Sequence, residues 1–196
     1  MRNPILVGER IYLRPLETDD AEIMARGSAL EPDVMMDGMR IPLSPVTMEH
    51  WVRDLHERQP PATIFLAVCL IEDDRFIGSV GLMGIDYVNR TAETGSWIDD
   101  AEFRSRGYGT EAKMLLLEYA FDRLHLHALV SHVWELNTRS SAALAKQGYH
   151  PAGRLKWDEL KDGVYHDILL FDVLRDEWLT ARERWRQEYA SVRPES

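Results

Sequence analysis

Thr91 to Ile98 is an apolar, strand-like run, and it leads into Arg104-Ser105-Arg106-Gly107-Tyr108-Gly109-Thr110. From near Thr110 a helical pattern continues to about Leu124, with Met114, Leu117, Phe121 and Leu124 spaced by three and four on one face. His127 to Val133 then reads as another strand. The segment is therefore a strand–helix–strand unit whose first connection is a glycine turn carrying two arginines. Such a turn suits an anion. Glycine lets backbone approach closely, and a helix start offers unpaired N–H groups at the positive end of its dipole. Arg104 and Arg106 add charge. The pattern predicts a pocket for a phosphate-bearing molecule; on purely structural grounds it is a tight strand–helix connection.

The chain around this unit reads β-α-α-β-β-β-α-β-α-β-β-α. Strands are expected at 9–15, 64–71, 76–82, 91–98, 127–133, 152–157 and 164–173. Helices are expected from 18, from 45 to about 59, from 110, over 137–146 and over 174–189. Residues 30–45 hold Pro32, Gly38, Pro42 and Pro45 and read as an irregular excursion. The expected fold class is α/β (α+β): a mixed, mostly antiparallel sheet of six to seven strands flanked by helices. With 196 residues, one domain over 1–196 is expected.

Composition removes several function classes. No apolar run reaches the ~20 residues of a membrane span, and Met1-Arg2-Asn3-Pro4-Ile5 opens no signal-peptide core. Cys69 is the only cysteine, so no disulfide framework is available; inside Phe65–Leu70 it reads as a buried strand residue. A cytoplasmic protein without membrane contact is expected. The formal net charge of −10 argues against nucleic acid as a partner. It suits a cationic partner, or serves solubility alone.

Two common phosphate motifs do not fit the glycine turn. A dinucleotide fingerprint needs a third glycine where Ala112 stands, and a Walker loop needs Gly-Lys-Ser/Thr. Arg104-x-x-Gly107-x-Gly109 instead resembles the pyrophosphate loop of the GNAT superfamily of acetyl-CoA-dependent N-acetyltransferases, Gln/Arg-x-x-Gly-x-Gly/Ala. Ile11-Tyr12-Leu13-Arg14-Pro15 and Ala92-Glu93-Thr94-Gly95-Ser96-Trp97-Ile98 resemble strands of its RimJ/RimL branch, the ribosomal-protein N-terminal acetyltransferases. Asn137-x-x-Ser140 with Leu144, Lys146, Gly148 and Tyr149, and the run Tyr165-His166-Asp167, are similar to signatures of the same branch. The resemblance covers about 9–178 and implies a GNAT fold with a C-terminal helix added.

The resemblance implies a reaction: acetyl transfer from acetyl-CoA to a primary amine by direct attack. It implies that the backbone from Arg106 through Gly107, Tyr108 and Gly109 to Thr110 holds the pyrophosphate, with Arg104 nearby. It implies that Trp97 and Ile98 pair with the pantetheine arm, where a backbone N–H can stabilise an oxyanion, and that Asn137 also bonds to that arm. Ser140 is implied as donor to the thiolate; as a plain helix residue it occupies the third position after an Asn137 cap. An amine must lose a proton to attack, and a carboxylate can take it. Glu159, near Tyr165-His166-Asp167, and Glu93, on the strand before the loop, are the candidates; otherwise each is an exposed strand charge. The acceptor, a protein N-terminus or a small amine such as a polyamine or aminoglycoside, is left open, with Glu31, Asp33 and Asp37 compatible with a cation. The alternative is a module that binds acyl-CoA without turnover.

No metal is expected, because His125, His127, His132 and His166 lack metal-site spacing. Trp51, Trp97, Trp134 and Trp157 either wall an acceptor pocket or fill core. Trp178 and Trp185 either pack the last helix down or meet a second subunit, so a homodimer belongs among the expected partners beside coenzyme A and an amine.

Overall fold

Residues 1–29, 43–99 and 101–192 are described by the computed structural model. Among them are eight strands and five α-helices: β1 (Leu6–Val7), β2 (Ile11–Pro15), α1 (Ala21–Ala29), α2 (Pro45–Glu57), β3 (Ile64–Leu70), β4 (Phe76–Asp86), β5 (Thr91–Ile98), α3 (Tyr108–Glu118), β6 (Ala128–Trp134), α4 (Thr138–Lys146), β7 (His150–Lys161), β8 (Val164–Leu174) and α5 (Arg175–Val192). The strands form one sheet in the order β1-β2-β3-β4-β5-β6-β8-β7. Only β5 and β6 are parallel, and α3 supplies the crossover a parallel pair requires.

The expected six to seven strands become eight because β1 pairs Leu6 with Leu13 and Val7 with Tyr12. Two residues are too few to show a period in sequence. Helix α3 begins at Tyr108 rather than near Thr110, with Gly107 as its cap. The expected excursion over 30–45 falls largely on residues 30–42, outside the described residues, as do Glu31, Asp33 and Asp37.

Alternation along the strands feeds two cores. Ile11, Leu13, Leu66, Val68, Ile77 and Val80 face a cluster completed by Leu116 and Leu117 of α3, Leu144 of α4 and Trp178 of α5. Tyr12, Ala67 and Cys69 point the other way, toward Met24 of α1 and Val52 of α2. The central strands are thus covered on both faces, and Cys69 is fully buried. The expected helix face is realised, with Met114, Leu117 and Phe121 buried and Leu124 packed against them. Trp178 stacks on Phe121 at 5.4 Å and pins α5 to that helix.

Two buried carboxylates fix the connections at the two ends of β2. Asp20 receives both guanidinium nitrogens of Arg14 at 2.7 Å and the Glu17 N–H at 2.9 Å, which sets the entry to α1. Glu111, wholly buried in the first turn of α3, accepts from the N–H groups of Glu9 and Arg10 at 2.7 and 2.9 Å. Its second oxygen holds the Arg10 side chain at 3.0 Å. The β1–β2 turn is thereby clamped to the start of α3.

The feature that places the site is a parting of strands. β5 and β6 pair only at Thr91–Glu93 with Ala128–Val130. Beyond that rung both strands continue, β5 bonded to β4 and β6 bonded to β8. Side chains bridge the start of the gap: Ser131 Oγ donates to the Thr94 carbonyl at 3.1 Å, and the Thr94 and Tyr149 hydroxyls meet at 2.6 Å. The edge of β5 from Gly95 to Ile98 is left facing a notch.

Candidate active site

The glycine turn closes at one end of this notch. Gly107 has φ +86°, a left-handed conformation that glycine adopts without a Cβ penalty. The Glu111 N–H already bonds to the Gly107 carbonyl at 3.0 Å. The N–H groups of Tyr108, Gly109 and Thr110 precede the first intrahelical partner and point out of the helix start. Arg10 braces the turn from outside: it donates to the Arg106 carbonyl at 2.9 Å and lies 4.4 Å over the Tyr108 ring. Tyr108 also packs edge-on to Phe103 at 5.8 Å.

Between α3, α4 and the end of β5 lies a cavity of about 440 Å³. Eight of the twelve expected site residues wall it: Trp97, Ile98, Arg104, Gly107, Gly109, Thr110, Asn137 and Ser140. Arg139 and Lys146 add positive charge to the same wall. Backbone donors at a helix start together with these cations fit a pyrophosphate, and the unpaired edge of β5 fits an extended amide-bearing arm. Space at Gly109 makes the fit specific. A Cβ there would touch only Ile98 Cγ1, at an ordinary 3.6 Å, so the fold tolerates a methyl group but a branched side chain would fill the cradle. Gly109→Ala is expected to bind acetyl-CoA normally and melt no lower than the native chain, since alanine favours a helix. Gly109→Val is expected to raise the acetyl-CoA KM roughly ten- to a hundredfold through about 1–3 kcal/mol of overpacking. An unchanged KM in the valine variant would remove the cavity from the coenzyme.

The remaining expected residues lie elsewhere. Arg106 is exposed and offers its carbonyl to Arg10, and the Tyr108 ring faces the brace described above. Arg104 wall contact comes with a structural duty: its guanidinium donates to the Ile98 and Asp99 carbonyls at 2.9 Å. It holds the end of β5, a role that charge alone in the sequence did not indicate. The Asn137 side chain accepts the Ser140 N–H at 3.1 Å, so the capping geometry of α4 is realised; Ser140 nonetheless sits on the cavity wall. Tyr149 is buried and bonded to Thr94, and burial pushes its phenol well above the usual range.

Glu93 and Glu159 are on the other side of the sheet. Ala92, Leu129 and Val133 point to the α3 core, so Glu93, Val130 and His132 alternate to the opposite face. There Glu93 lies 3.0 Å from His132 Nδ1, with about a third of the carboxylate side chain exposed. Trp134 follows on that face and packs edge-on to His166 at 5.4 Å. Glu159 is the register partner of His166 across β7 and β8. Glu135 accepts from the Asp167 N–H at 3.1 Å and lies 3.2 Å from His166 Nδ1.

A bulge shapes this end of the sheet. Leu155 pairs with Ile168 and Glu159 with His166, so four steps on β7 match two on β8. Trp157 at its crest has φ +53° and is 75% exposed. The Trp157 N–H donates to Asp167 at 2.8 Å, and Arg154 bonds to the other carboxylate oxygen. The Trp157 N–H first, then Arg154, hold the Asp167 carboxyl below its usual range. In the sequence, His132 and His166 show only that they lack metal-site spacing. His132 faces Glu93 of β5 and His166 faces Glu135 in the turn after β6, and only the pairing of β5, β6 and β8 brings those groups together. Among the described residues no cluster of three potential metal ligands is found, and no helix is long and apolar enough to cross a membrane.

The family model described as acetyltransferase (GNAT) domain matches residues 10–150. "Probable N-acetyltransferase YjcK" of Bacillus subtilis is 30% identical over 184 residues, 87% of this chain and 97% of its own length. The spermidine N(1)-acetyltransferase of Escherichia coli is 25% identical over 86% of this chain and 88% of its own. Mycobacterium smegmatis RimJ, solved in complex with CoA-disulfide, superposes with a TM-score of 0.73 at 26% identity, over 85% of this chain and 83% of that one. The parted strands, the glycine turn at the start of α3 and the matched span agree: the chain belongs to the GNAT acetyltransferase family and is an N-acetyltransferase that uses acetyl-CoA.

Proposed function

We propose that the chain, acting as one domain over residues 1–196, acetylates a small cationic amine of polyamine type. The observation that carries this reading is the row of carboxylates Glu93 and Glu159 on the sheet face opposite the coenzyme cavity, with Glu135 beside His166 at its end. The notch lets that face and the cavity meet. Acetyl-CoA brings an activated acyl group and a thiolate leaving group; the protein supplies the rest. Backbone N–H groups from Gly107 to Thr110, with Arg139 and Lys146, hold the phosphates. The β5 edge at Trp97 and Ile98 aligns the arm and presents a donor to the developing oxyanion. Ser140, at the start of α4, donates a hydrogen bond to the departing thiolate, which takes up the proton that the acylated nitrogen sheds, while Asn137 orients Ser140. Glu93 takes the proton from the ammonium, and His132 holds that carboxylate in place. Glu159 faces the same approach and attracts the cationic remainder of the acceptor.

The spermidine acetyltransferase relative supports the acceptor, and the excess of acidic residues attracts a polycation. The RimJ likeness, with Tyr165-His166-Asp167 and Asn137-x-x-Ser140, favours a second reading, in which the chain is of the RimJ/RimL-like branch and the acceptor is a protein α-amine. Thiol release measured against spermidine, an aminoglycoside and N-terminal peptides decides between them. Highest kcat/KM is expected for the polyamine, falling as salt screens the acids. Turnover of peptide alone would transfer the assignment to the second reading.

A further inference from the structure

Gln147 is the one polar residue of the cavity wall that is almost wholly buried, at 3% exposure. Its Oε1 meets no hydrogen-bond donor among the described residues. A buried amide oxygen in that state is rare and costs about 1–3 kcal/mol. Its surroundings are otherwise satisfied. The Gln147 N–H closes the end of α4 on Ala143 and Leu144. Gly148 turns left-handed at φ +97° and backs onto Ala181 and Glu177 of α5. Tyr149 enters the core and bonds to Thr94. The chain therefore spends positions 148 and 149 on packing and turns position 147 toward the cavity, beside Ala143 and Lys146 and across from Gly109 and Thr110.

We propose that Gln147 is a recognition residue for the coenzyme, its amide oxygen accepting a hydrogen bond from an N–H of the bound molecule. The proposal rests on assigning this cavity to coenzyme A. That ligand carries N–H donors in two places, the amides of the pantetheine arm and the amino group of adenine. An orphan acceptor held open in the free protein is a cost that bound ligand removes, and it discriminates against molecules lacking the donor.

The test is thermal melting of the full chain and its Q147M and Q147E variants, with and without coenzyme A, and a Kd for each. Q147M should melt at or above the native temperature when free, because the orphan oxygen is gone. Its Kd should weaken about tenfold, with a smaller coenzyme-induced rise in Tm. Q147E keeps an acceptor oxygen and should keep most of the rise. Repeating the titration with pantetheine alone identifies the donor: a penalty that persists marks a pantetheine amide, and one that disappears marks adenine. A Q147M chain that melts lower and binds as tightly as the native protein would make the amide a structural group and overturn the proposal, as would failure of both variants to fold. No coenzyme-induced rise in the native chain, or a full rise in Gly109→Val, would overturn the cavity assignment itself and this role with it.

Discussion

Replacing Lys113 with methionine is expected to stabilise the fold by roughly 3–5 kcal/mol at pH 6 and by far less near pH 10. Lys113 lies on α3 at 2% exposure. Burial, opposed weakly by the charge of Glu93, brings its ammonium down from 10.5 to about 7. An ordinary lysine holds its proton to about 10.4. Between those limits the unfolded chain binds a proton that the native chain has released. Stability therefore rises with pH from about 7 toward 10.5, and the whole penalty is present below 7. At about 1.36 kcal/mol per pH unit, that penalty is roughly 5 kcal/mol, and relaxation around the side chain reduces it. Methionine has a similar length and no charge, so the difference between variant and native chain isolates this one group. Urea denaturation at pH 6, 8 and 10 measures it. A difference that does not shrink with rising pH would mean that the ammonium reaches water.

Lys113 also shows why parts of this molecule were hidden in the sequence. The periodic residues Met114, Leu117, Phe121 and Leu124 mark a helix face directly, because helical spacing is local. Lys113 sits beside Met114 and is buried because β2, β4 and β5 pack against α3, which no spacing rule reveals. The glycine turn was legible for the same local reason: strand, glycines and helix are contiguous. So were Asn137 and Ser140, whose cap geometry needs only three residues. Glu93 with His132, and Glu135 with His166, depend on the register of separate strands. Arg104 looked like a charge for the ligand because its acceptors are backbone carbonyls, which every residue has. Trp157 reads in the sequence as pocket wall or core, yet the bulge on β7 turns it outward. β1 escaped notice because two residues carry no pattern.

Glu93→Gln is expected to lower kcat/KM for an amine by about a hundredfold or more at pH 7, the usual worth of a positioned base. The exchange keeps size and an acceptor oxygen facing His132, so folding and coenzyme binding should survive. What it removes is the proton acceptor. An amine of pKa about 10.4 is neutral in only about one molecule in 2,500 at pH 7. Without the carboxylate, the reaction must draw on that fraction, and its rate should climb nearly tenfold per pH unit up to about pH 10. The native enzyme should climb less steeply, so the two profiles converge at high pH. Glu159→Gln should behave differently if that residue attracts the acceptor: KM for the amine rises, kcat changes little, and the slope with pH stays native. Location favours this division. Glu93 stands at the last paired rung, where β5 and β6 part and the cavity opens to the opposite face, whereas Glu159 is set on β7 beyond the bulge, opposite His166. Parallel pH profiles for Glu93→Gln and the native enzyme, with the steeper one in Glu159→Gln, would exchange the two roles. Native profiles in both variants would leave the attacking amine to shed its proton to water alone, and the carboxylate row would then serve only to gather the cation.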